Sequence, residues 1–351
     1  MSRQSLGGRA QTVLGQIAAE ELGITLPHEH LFADQTGVFM EPATITEKKL
    51  AREPITLENR WWIAAHHLSN LDNLSFWDEE LIIKEVSYYR RAGGRTIVCM
   101  SNDGLGRDPL ALARVSRATS LNVIMGSGYY MANTHPSGMG KKTEDDITDE
   151  IVRDLTGGVA DTGIRAGIIG EIGCSWPLTN DERKTLVAAA KAQRLTHAPL
   201  NIHPGRDPRA PAQIIEILNQ AGADLSRTVI SHIERTLRNP EDRFRLAETG
   251  CYLEYDHFGF ESYFQREIAL VDMPNDHQRV NEIMQLIEQG FLEQILIAQD
   301  ICLKMRLRSY GGHGYDHILQ NVVPLMRAKG MSAEQINTII VENPKRLLPF
   351  V

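Results

Sequence analysis

The sequence predicts an α/β protein in which eight parallel strands close into a (β/α)8 barrel, the TIM-barrel architecture. Three observations support this prediction. Short apolar runs rich in β-branched residues recur along the chain, helical segments lie between most of them, and 351 residues suit one such barrel. Continuous apolar runs of this kind are typical of strands that are buried on both faces.

The eight predicted strands are short, as barrel strands usually are. In chain order they are residues 23–26, 96–100, 122–126, 167–172, 200–203, 228–232, 252–255 and 295–301. Helical segments between successive strands favour parallel pairing, because parallel neighbours need a crossover connection.

Six helical segments are predicted from apolar residues at helical spacing and from signals at their ends. They are residues 77–92, 179–194, 211–221, 276–289, 316–328 and 332–342. The segment at 179 opens with Thr-Asn-Asp-Glu, which supplies an N-cap and acidic residues in the first turn. Eight strand–helix units in this length fit a closed barrel better than an open, doubly wound sheet.

Two long segments interrupt this alternation. Residues 32–76 follow the first strand and residues 258–275 follow the seventh. Both should lie at the C-terminal ends of the strands, where barrel enzymes place their active sites, so they are candidate lids or pocket walls. No linker or repeat divides the chain, and we expect one domain over residues 1–351.

Composition and charge exclude several classes of protein. The net charge is −8 and the pI about 5.9, which argues against a nucleic-acid-binding protein but permits a small anionic ligand. The four cysteines have no paired spacing, which indicates free thiols in a reducing compartment. The N-terminus shows no signal-peptide pattern, and no apolar run approaches the ~20 residues of a membrane span. These observations predict a cytoplasmic protein.

Polar residues with metal-binding chemistry stand at the ends of five predicted strands. The C-terminal ends of barrel strands converge on one rim, so these side chains should meet. Imidazole and carboxylate together are typical ligands of zinc-like divalent ions. The residues are His28 and His30 after the first strand, Glu171 in the fourth, His203 in the fifth, His232 in the sixth and Asp300 in the eighth.

Spacing suggests how the ligands divide. In an extended segment, residues i and i+2 point to the same side, so His28 and His30 can bind one ion while Glu29 points away. Glu171 lies between the other ligands along the rim and could bridge two ions that together activate a water. Asp300 could bind one ion and move a proton to the leaving group.

Each of these residues also has an ordinary structural interpretation. A lone His-x-His is weak evidence, and a histidine at a strand end is more often structural than a ligand. A glutamate inside a buried strand is costly unless it is paired or metal-bound, so Glu171 gives the set its weight. The other histidines are expected mainly at the surface or in supporting positions, with His135 the first candidate to reach the site.

Three arginines and a tyrosine are candidate substrate contacts. Arg206, Arg235 and Arg306 stand just past strand ends, and Tyr130 ends the third strand. Arginines near strand ends are usually solvated, but three on one rim favour a substrate with a carboxylate, sulfonate or phosphate. Neither GxSxG nor GxGxxG occurs, which argues against serine-esterase and dinucleotide chemistry.

An ordered set of motifs from Thr12 to Leu348 resembles the phosphotriesterase family of the amidohydrolase superfamily. The motifs are LGITLPHEHL, GSGYY, HPGR, SHIERT, QDI, YGGHGYDHIL and ENPKRLL. The segments IIGEIGCSWPLT, HPGRDPRAP, GCYLEYDHFG and DMPND are similar to the phosphotriesterase-related branch, which includes N-acetyltaurine hydrolase-like proteins.

The resemblance implies a binuclear metal centre, commonly zinc, with manganese, cobalt or iron(II) left open. By motif, His28, His30 and Asp300 would hold one ion, and His203 and His232 the other. Glu171 would bridge them, at the position where several family members have a carboxylated lysine.

The resemblance also implies a range of substrates. The branch favours amide hydrolysis of N-acetyltaurine or N-acyl amino acids, with a metal-bridging hydroxide as the attacking group and Asp300 as the proton carrier. Phosphotriesters, other phosphoesters and lactones remain alternatives on the same site. A non-catalytic ligand-binding protein on the hydrolase scaffold is an alternative of another class. The expected partner is a small anionic molecule, and a homodimer is the assembly that relatives suggest.

Overall fold

The computed structural model describes residues 8–261, 264–265 and 271–350. Within them, eight strands form one sheet in which each strand pairs with its neighbours in the sequence, in parallel. The eighth strand returns beside the first, where Asp300 N donates to His28 O at 3.2 Å. The sheet is therefore a nearly closed barrel, which confirms the predicted fold class. The strands are Thr25–Glu29, Thr96–Cys99, Asn122–Ser127, Ile168–Gly173, Leu200–His203, Thr228–Ile230, Tyr252–Tyr255 and Ile295–Ile297.

Helices follow the strands and cover the outside of the barrel. They are Glu79–Arg91, Pro109–Thr119, Glu144–Thr156, Asn180–Thr196, Ala210–Gln220, Pro240–Ala247, Asp276–Glu288 and, after a π turn at Ile318–Val322, Val323–Ala328. Residues near the C-terminus add Ala333–Asn337, a π turn at Thr338–Glu342, and Asn343–Leu347. No helix in the described ranges is both long enough and apolar enough to cross a membrane.

Of the helices with eight or more residues, three lie outside the six segments expected from the sequence. They are Pro109–Thr119, Glu144–Thr156 and Pro240–Ala247. The side chains of Asp108, Thr143 and Asn239 accept hydrogen bonds from backbone N–H groups of the first turns. These N-caps, with proline at the start of two of the helices, were the available sequence signals.

Two strands end at least two residues earlier than predicted. The sixth ends at Ile230 and the eighth at Ile297, before the polar residues that follow them. His232 and Asp300 have φ values of 57° and 49°, in the left-handed region that a strand cannot contain. The chain thus leaves the sheet just where it presents these side chains.

An antiparallel hairpin of Arg9–Thr12 and Gly15–Ala18 lies at the N-terminal ends of the barrel strands. Gly167 comes so close to it that an added Cβ would collide with Gln11 O. This close approach requires glycine, and it places the hairpin opposite the predicted site.

The insertion after the first strand forms a separate layer on the C-terminal side. It contains the helices Ile45–Leu50 and Arg60–Ala65, and its two ends pair as Ala33–Asp34 with Ser75–Phe76. A second apolar cluster holds it in place, with Trp62 of the insertion joining Leu303 and Phe260 from barrel loops.

The predicted loop 258–275 lies partly outside the described residues, namely at 262–263 and 266–270. Its described part includes an antiparallel pair, Phe264–Gln265 with Val271–Asp272. The expectation of one domain over residues 1–351 stays a prediction.

Candidate metal centre

The six metal-ligand candidates lie together at the C-terminal end of the barrel, and all six are buried. The strands bring them there because each residue lies in or just beyond the C-terminal end of its strand. They form overlapping groups whose ligand atoms lie within 4.8 Å of one another. The groups are His28, His30 and Glu171; Glu171, His203 and His232; and His28, His232 and Asp300.

Glu171 stands at the centre of the cluster. Its Oε1 lies 2.6 Å from His203 Nδ1, 3.0 Å from His232 Nε2 and 3.7 Å from His28 Nε2. Its Oε2 lies 4.0 Å from His30 Nε2. Burial opposes ionisation, but the charges of His203 and His28 outweigh it and hold the pKa of Glu171 well below its usual value. One ionised carboxylate therefore faces both histidine pairs.

Asp300 closes the cluster on the side of the first strand. Its Oδ1 lies 3.0 Å from His30 Nε2 and 3.8 Å from His28 Nε2, while its Oδ2 lies 3.6 Å from His257 Nε2. Burial favours the neutral acid, but hydrogen bonding to His30 and the charge of His28 hold its pKa far below the ordinary value. The side chain is thus an ionised acceptor between three imidazoles.

Two further carboxylates contact the rings of His28 and His232 at Nδ1, the nitrogen that does not face Glu171. His28 Nδ1 lies 2.9 Å from Glu254 Oε2, and His232 Nδ1 lies 2.7 Å from Asp256 Oδ1. Carboxylate–histidine pairs of this kind fix the tautomer of a metal ligand and leave its other nitrogen free. His28 Nε2 is buried and has no hydrogen-bond partner among the described residues. A buried orphan nitrogen beside ionised carboxylates suits a divalent cation, so the residues fit the metal that the fold family implies.

Sequence reasoning missed Glu254 and Asp256. They stand two residues apart at the end of the seventh strand, so both side chains point to the same side. Two acids at this spacing in an otherwise buried strand were a usable signal, because buried carboxylates are seldom unpaired.

The histidine that sequence reasoning favoured, His135, does not reach the cluster. Its Nε2 lies 2.8 Å from Tyr130 O, and it is absent from the described residues that line the cavity. His257 and His67 line it instead. The His257 ring stacks on His232 with centroids 4.9 Å apart. Burial, followed by the charges of Arg206 and Arg306, lowers the pKa of His67 to about 3.

A cavity of about 80 Å³ opens beside the cluster. The insertion after the first strand supplies part of its wall, as predicted, through Gln35, Val38, His67 and Leu68. The four candidate substrate contacts, Tyr130, Arg206, Arg235 and Arg306, line the same cavity. Residues from six of the eight loops that follow the strands therefore line one small volume.

The three arginines differ in what their donors already bind. Arg306 donates from Nη1 to Asp300 O at 2.9 Å and from Nη2 to Phe258 O at 2.8 Å. Arg206 Nη1 and Arg235 Nη1 are buried without a hydrogen-bond partner in the part of the chain that the structure describes. Burial and the charge of Arg235 lower the pKa of Arg206 to about 9, so the Arg206 guanidinium is cationic at neutral pH. Two guanidinium groups in one cavity wall, each with a buried donor that lacks a partner among the described residues, are suited to an anion.

Tyr130 lies beside the cluster, in the lining of the same cavity. Its hydroxyl is 3.3 Å from His203 Nδ1, and the two rings meet edge to face at 4.9 Å. Burial, reinforced by the charges of Glu171 and Asp300, raises its pKa well above 10, so the hydroxyl keeps its proton and can donate.

Comparisons with known proteins agree with this geometry. The family model described as "Phosphotriesterase family" matches residues 8–348. A phosphotriesterase-related protein from Nematostella vectensis is 44% identical over 98% of this chain and 99% of its own length. An N-acetyltaurine hydrolase from Homo sapiens is 43% identical over 99% of each chain.

Among solved structures, a resiniferatoxin-binding protein from Rhodobacter sphaeroides superposes with a TM-score of 0.95 at 35% identity, over 99% of this chain and 98% of that one. The sequence match spans nearly the whole barrel and includes every strand that contributes to the histidine–carboxylate cluster. The chain therefore belongs to the phosphotriesterase family, and it is a metal-dependent hydrolase.

Proposed function

We propose that this enzyme hydrolyses the amide bond of a small N-acylated compound that carries a sulfonate or carboxylate, of the N-acetyltaurine type. The observation that supports this most directly is the pair of guanidinium groups of Arg206 and Arg235 in the wall of the cavity beside the cluster. Each has a buried Nη1 with no hydrogen-bond partner among the described residues. A neutral phosphotriester would leave both cations unpaired, whereas an anionic head group would pair with them. The similarity to N-acetyltaurine hydrolases points to the same class of substrate.

We propose that the cluster holds two divalent ions, with zinc the first candidate and manganese, cobalt or iron(II) as alternatives. His28, His30 and Asp300 would hold one ion, His203 and His232 the other, and Glu171 would contact both. The position of Glu171 between the histidine pairs supports this division. Such ions, when bound, supply an activated water and polarise the carbonyl under attack.

The protein side chains would carry out proton transfer and substrate binding. The Asp300 carboxylate lies within the cluster, with Oδ1 3.0 Å from His30 Nε2, so it would accept a proton from the attacking water and return it to the leaving nitrogen. Arg206 and Arg235 would bind the anionic group. Arg306 would contribute its positive charge without a hydrogen bond to the substrate, because both of its terminal nitrogens already donate to backbone carbonyls. The Tyr130 hydroxyl would donate to an oxygen of the substrate.

The experiment compares two substrates that differ in one group. Metal-loaded enzyme is assayed with N-acetyltaurine and with N-ethylacetamide, which keeps the amide but lacks the sulfonate. We expect kcat/KM to favour the anion by on the order of 10²-fold or more, since unpaired buried charges are costly. A lactone and an aryl phosphotriester are included. Higher turnover of either would refute the amide assignment, and ligand binding without turnover of any of them would favour a binding protein.

We further propose that the enzyme works in the cytoplasm on a small anionic metabolite, as a homodimer. The cysteines support a reducing compartment, because Cys99, Cys174, Cys251 and Cys302 are all free in the structure. Size-exclusion chromatography with light scattering measures the assembly directly.

A further inference from the structure

Glu29 stands between the candidate ligands His28 and His30 but faces away from the cluster. It is completely buried. Its Oε1 accepts a hydrogen bond from Gln299 N at 2.8 Å, and its Oε2 accepts one from Ile301 N at 3.0 Å. The carboxylate of the first strand therefore binds the two backbone N–H groups on either side of Asp300.

These two hydrogen bonds lie where the barrel closes. The eighth strand ends at Ile297, and the left-handed φ of 49° at Asp300 turns the chain out of the extended conformation. A regular strand ladder cannot continue through such a bend, and buried backbone N–H groups need an acceptor. Glu29 supplies from a side chain the acceptors that a neighbouring strand would otherwise provide.

The backbone of Asp300 is fixed from the other directions as well. Its N–H donates to His28 O at 3.2 Å. Its carbonyl accepts from Cys302 N at 2.8 Å and from Arg306 Nη1 at 2.9 Å. A left-handed conformation is unfavourable for a residue with a Cβ and persists only where its surroundings impose it. Glu29 contributes two of the hydrogen bonds that impose this one.

We propose that Glu29 is a positioning residue for the reaction. Its carboxylate holds the backbone bend at Asp300, and that bend directs the Asp300 carboxylate toward His30 and the metal ions. This inference goes beyond the proposed function but rests on the role given there to Asp300. Glu29, the middle residue of the His-x-His motif, would thus position the segment that follows the eighth strand, 270 residues further along the chain.

The test replaces Glu29 by glutamine, which keeps the shape of the side chain. One amide oxygen can still accept an N–H, but the amide NH2 would face the other N–H, donor against donor. The matched control is Glu85→Gln. Glu85 is equally buried and accepts from Arg308 N at 2.8 Å and Ser309 N at 2.9 Å in the same loop, away from Asp300.

Both variants should lose thermal stability to a similar extent. Only Glu29→Gln should lower kcat, by about 10- to 100-fold with KM changed less than threefold, because the proton carrier and ligand is misdirected. It should also change the visible absorption spectrum of the cobalt-substituted enzyme and speed cobalt loss to a chelator. Glu85→Gln should leave the spectrum and kcat unchanged. If Glu29→Gln does not fold, Glu29→Asp, which keeps the carboxyl group on a shorter stem, is measured in the same way.

The inference is overturned if the Glu29 variant matches the Glu85 variant in kcat and in cobalt spectrum, since Glu29 would then be only a structural acceptor. The cobalt spectrum also separates this result from a failure of the proposed function. If Asp300→Asn retained turnover, the role of Asp300 would be wrong, yet a changed spectrum in Glu29→Gln would still support positioning.

Discussion

Replacing Arg206 by methionine tests the charge recognition that the cavity implies. The substitution keeps most of the aliphatic stem and removes a cation whose buried Nη1 has no partner within the described ranges. A hydrogen bond from a charged group to a bound anion contributes about 1.5–3 kcal/mol. Since about 1.4 kcal/mol corresponds to a factor of ten, KM for N-acetyltaurine should rise about 10- to 100-fold.

The same change should barely affect the neutral amide. N-ethylacetamide has no group for Arg206 to bind, so its kcat/KM should change less than about threefold. The melting temperature should not fall, because removing a positive charge next to the positive charge of Arg235 is neutral or stabilising. Steady-state kinetics with both substrates and a thermal melt measure these three quantities.

Arg209→Met is the matched control. This arginine lies three residues further along, is 73% exposed, and pairs with Asp207, so its loss should leave KM for both substrates unchanged. If Arg206→Met weakened the neutral and the anionic amide equally, Arg206 would be acting through the shape of the cavity. The argument for an anionic substrate would then fail.

Three further outcomes are expected. Asp300→Asn should lower kcat by about 10²- to 10⁴-fold, the range for a lost general acid–base, while metal analysis shows most of the metal retained; near-normal turnover would exclude the proton role. Glu254→Gln should weaken metal binding about 10- to 100-fold in a chelator competition, since it frees the ring of His28, and unchanged affinity would show that the ring needs no such support. Removing metal from the wild-type enzyme should abolish turnover and lower the melting temperature, because the free energy of metal binding no longer stabilises the folded state. Adding zinc should restore both. Activity that survives full chelation would contradict the metal centre.

The positions of the metal-ligand candidates could be predicted from the sequence because a closed barrel brings the C-terminal ends of its strands together on one rim. Glu171, His203 and His232 each stand at or near the end of a strand that is recognisable from apolar residues alone. Once the strands are parallel and closed, their ends must meet, whatever the details of packing.

The supporting residues could not be predicted in this way. Glu254 pairs with His28 across 226 residues, and Asp256 with His232 across 24, through contacts that depend on the radius and stagger of the barrel. The sequence likewise cannot tell which arginine has unused donors. The terminal nitrogens of Arg306 already donate hydrogen bonds because the carbonyls of Asp300 and Phe258 lie within hydrogen-bonding distance.

The wall of the cavity and its floor are built from different parts of the chain. The floor consists of side chains at strand ends, whereas Val38 and Leu68 of the wall belong to an insertion that packs in the second apolar cluster, around Trp62 and separate from the barrel core. A change of residue at Val38 or Leu68 removes none of the hydrogen bonds that orient the histidines. Divergence of substrate preference can therefore proceed through the insertion at little cost to folding, while the hydrolytic apparatus is inherited intact.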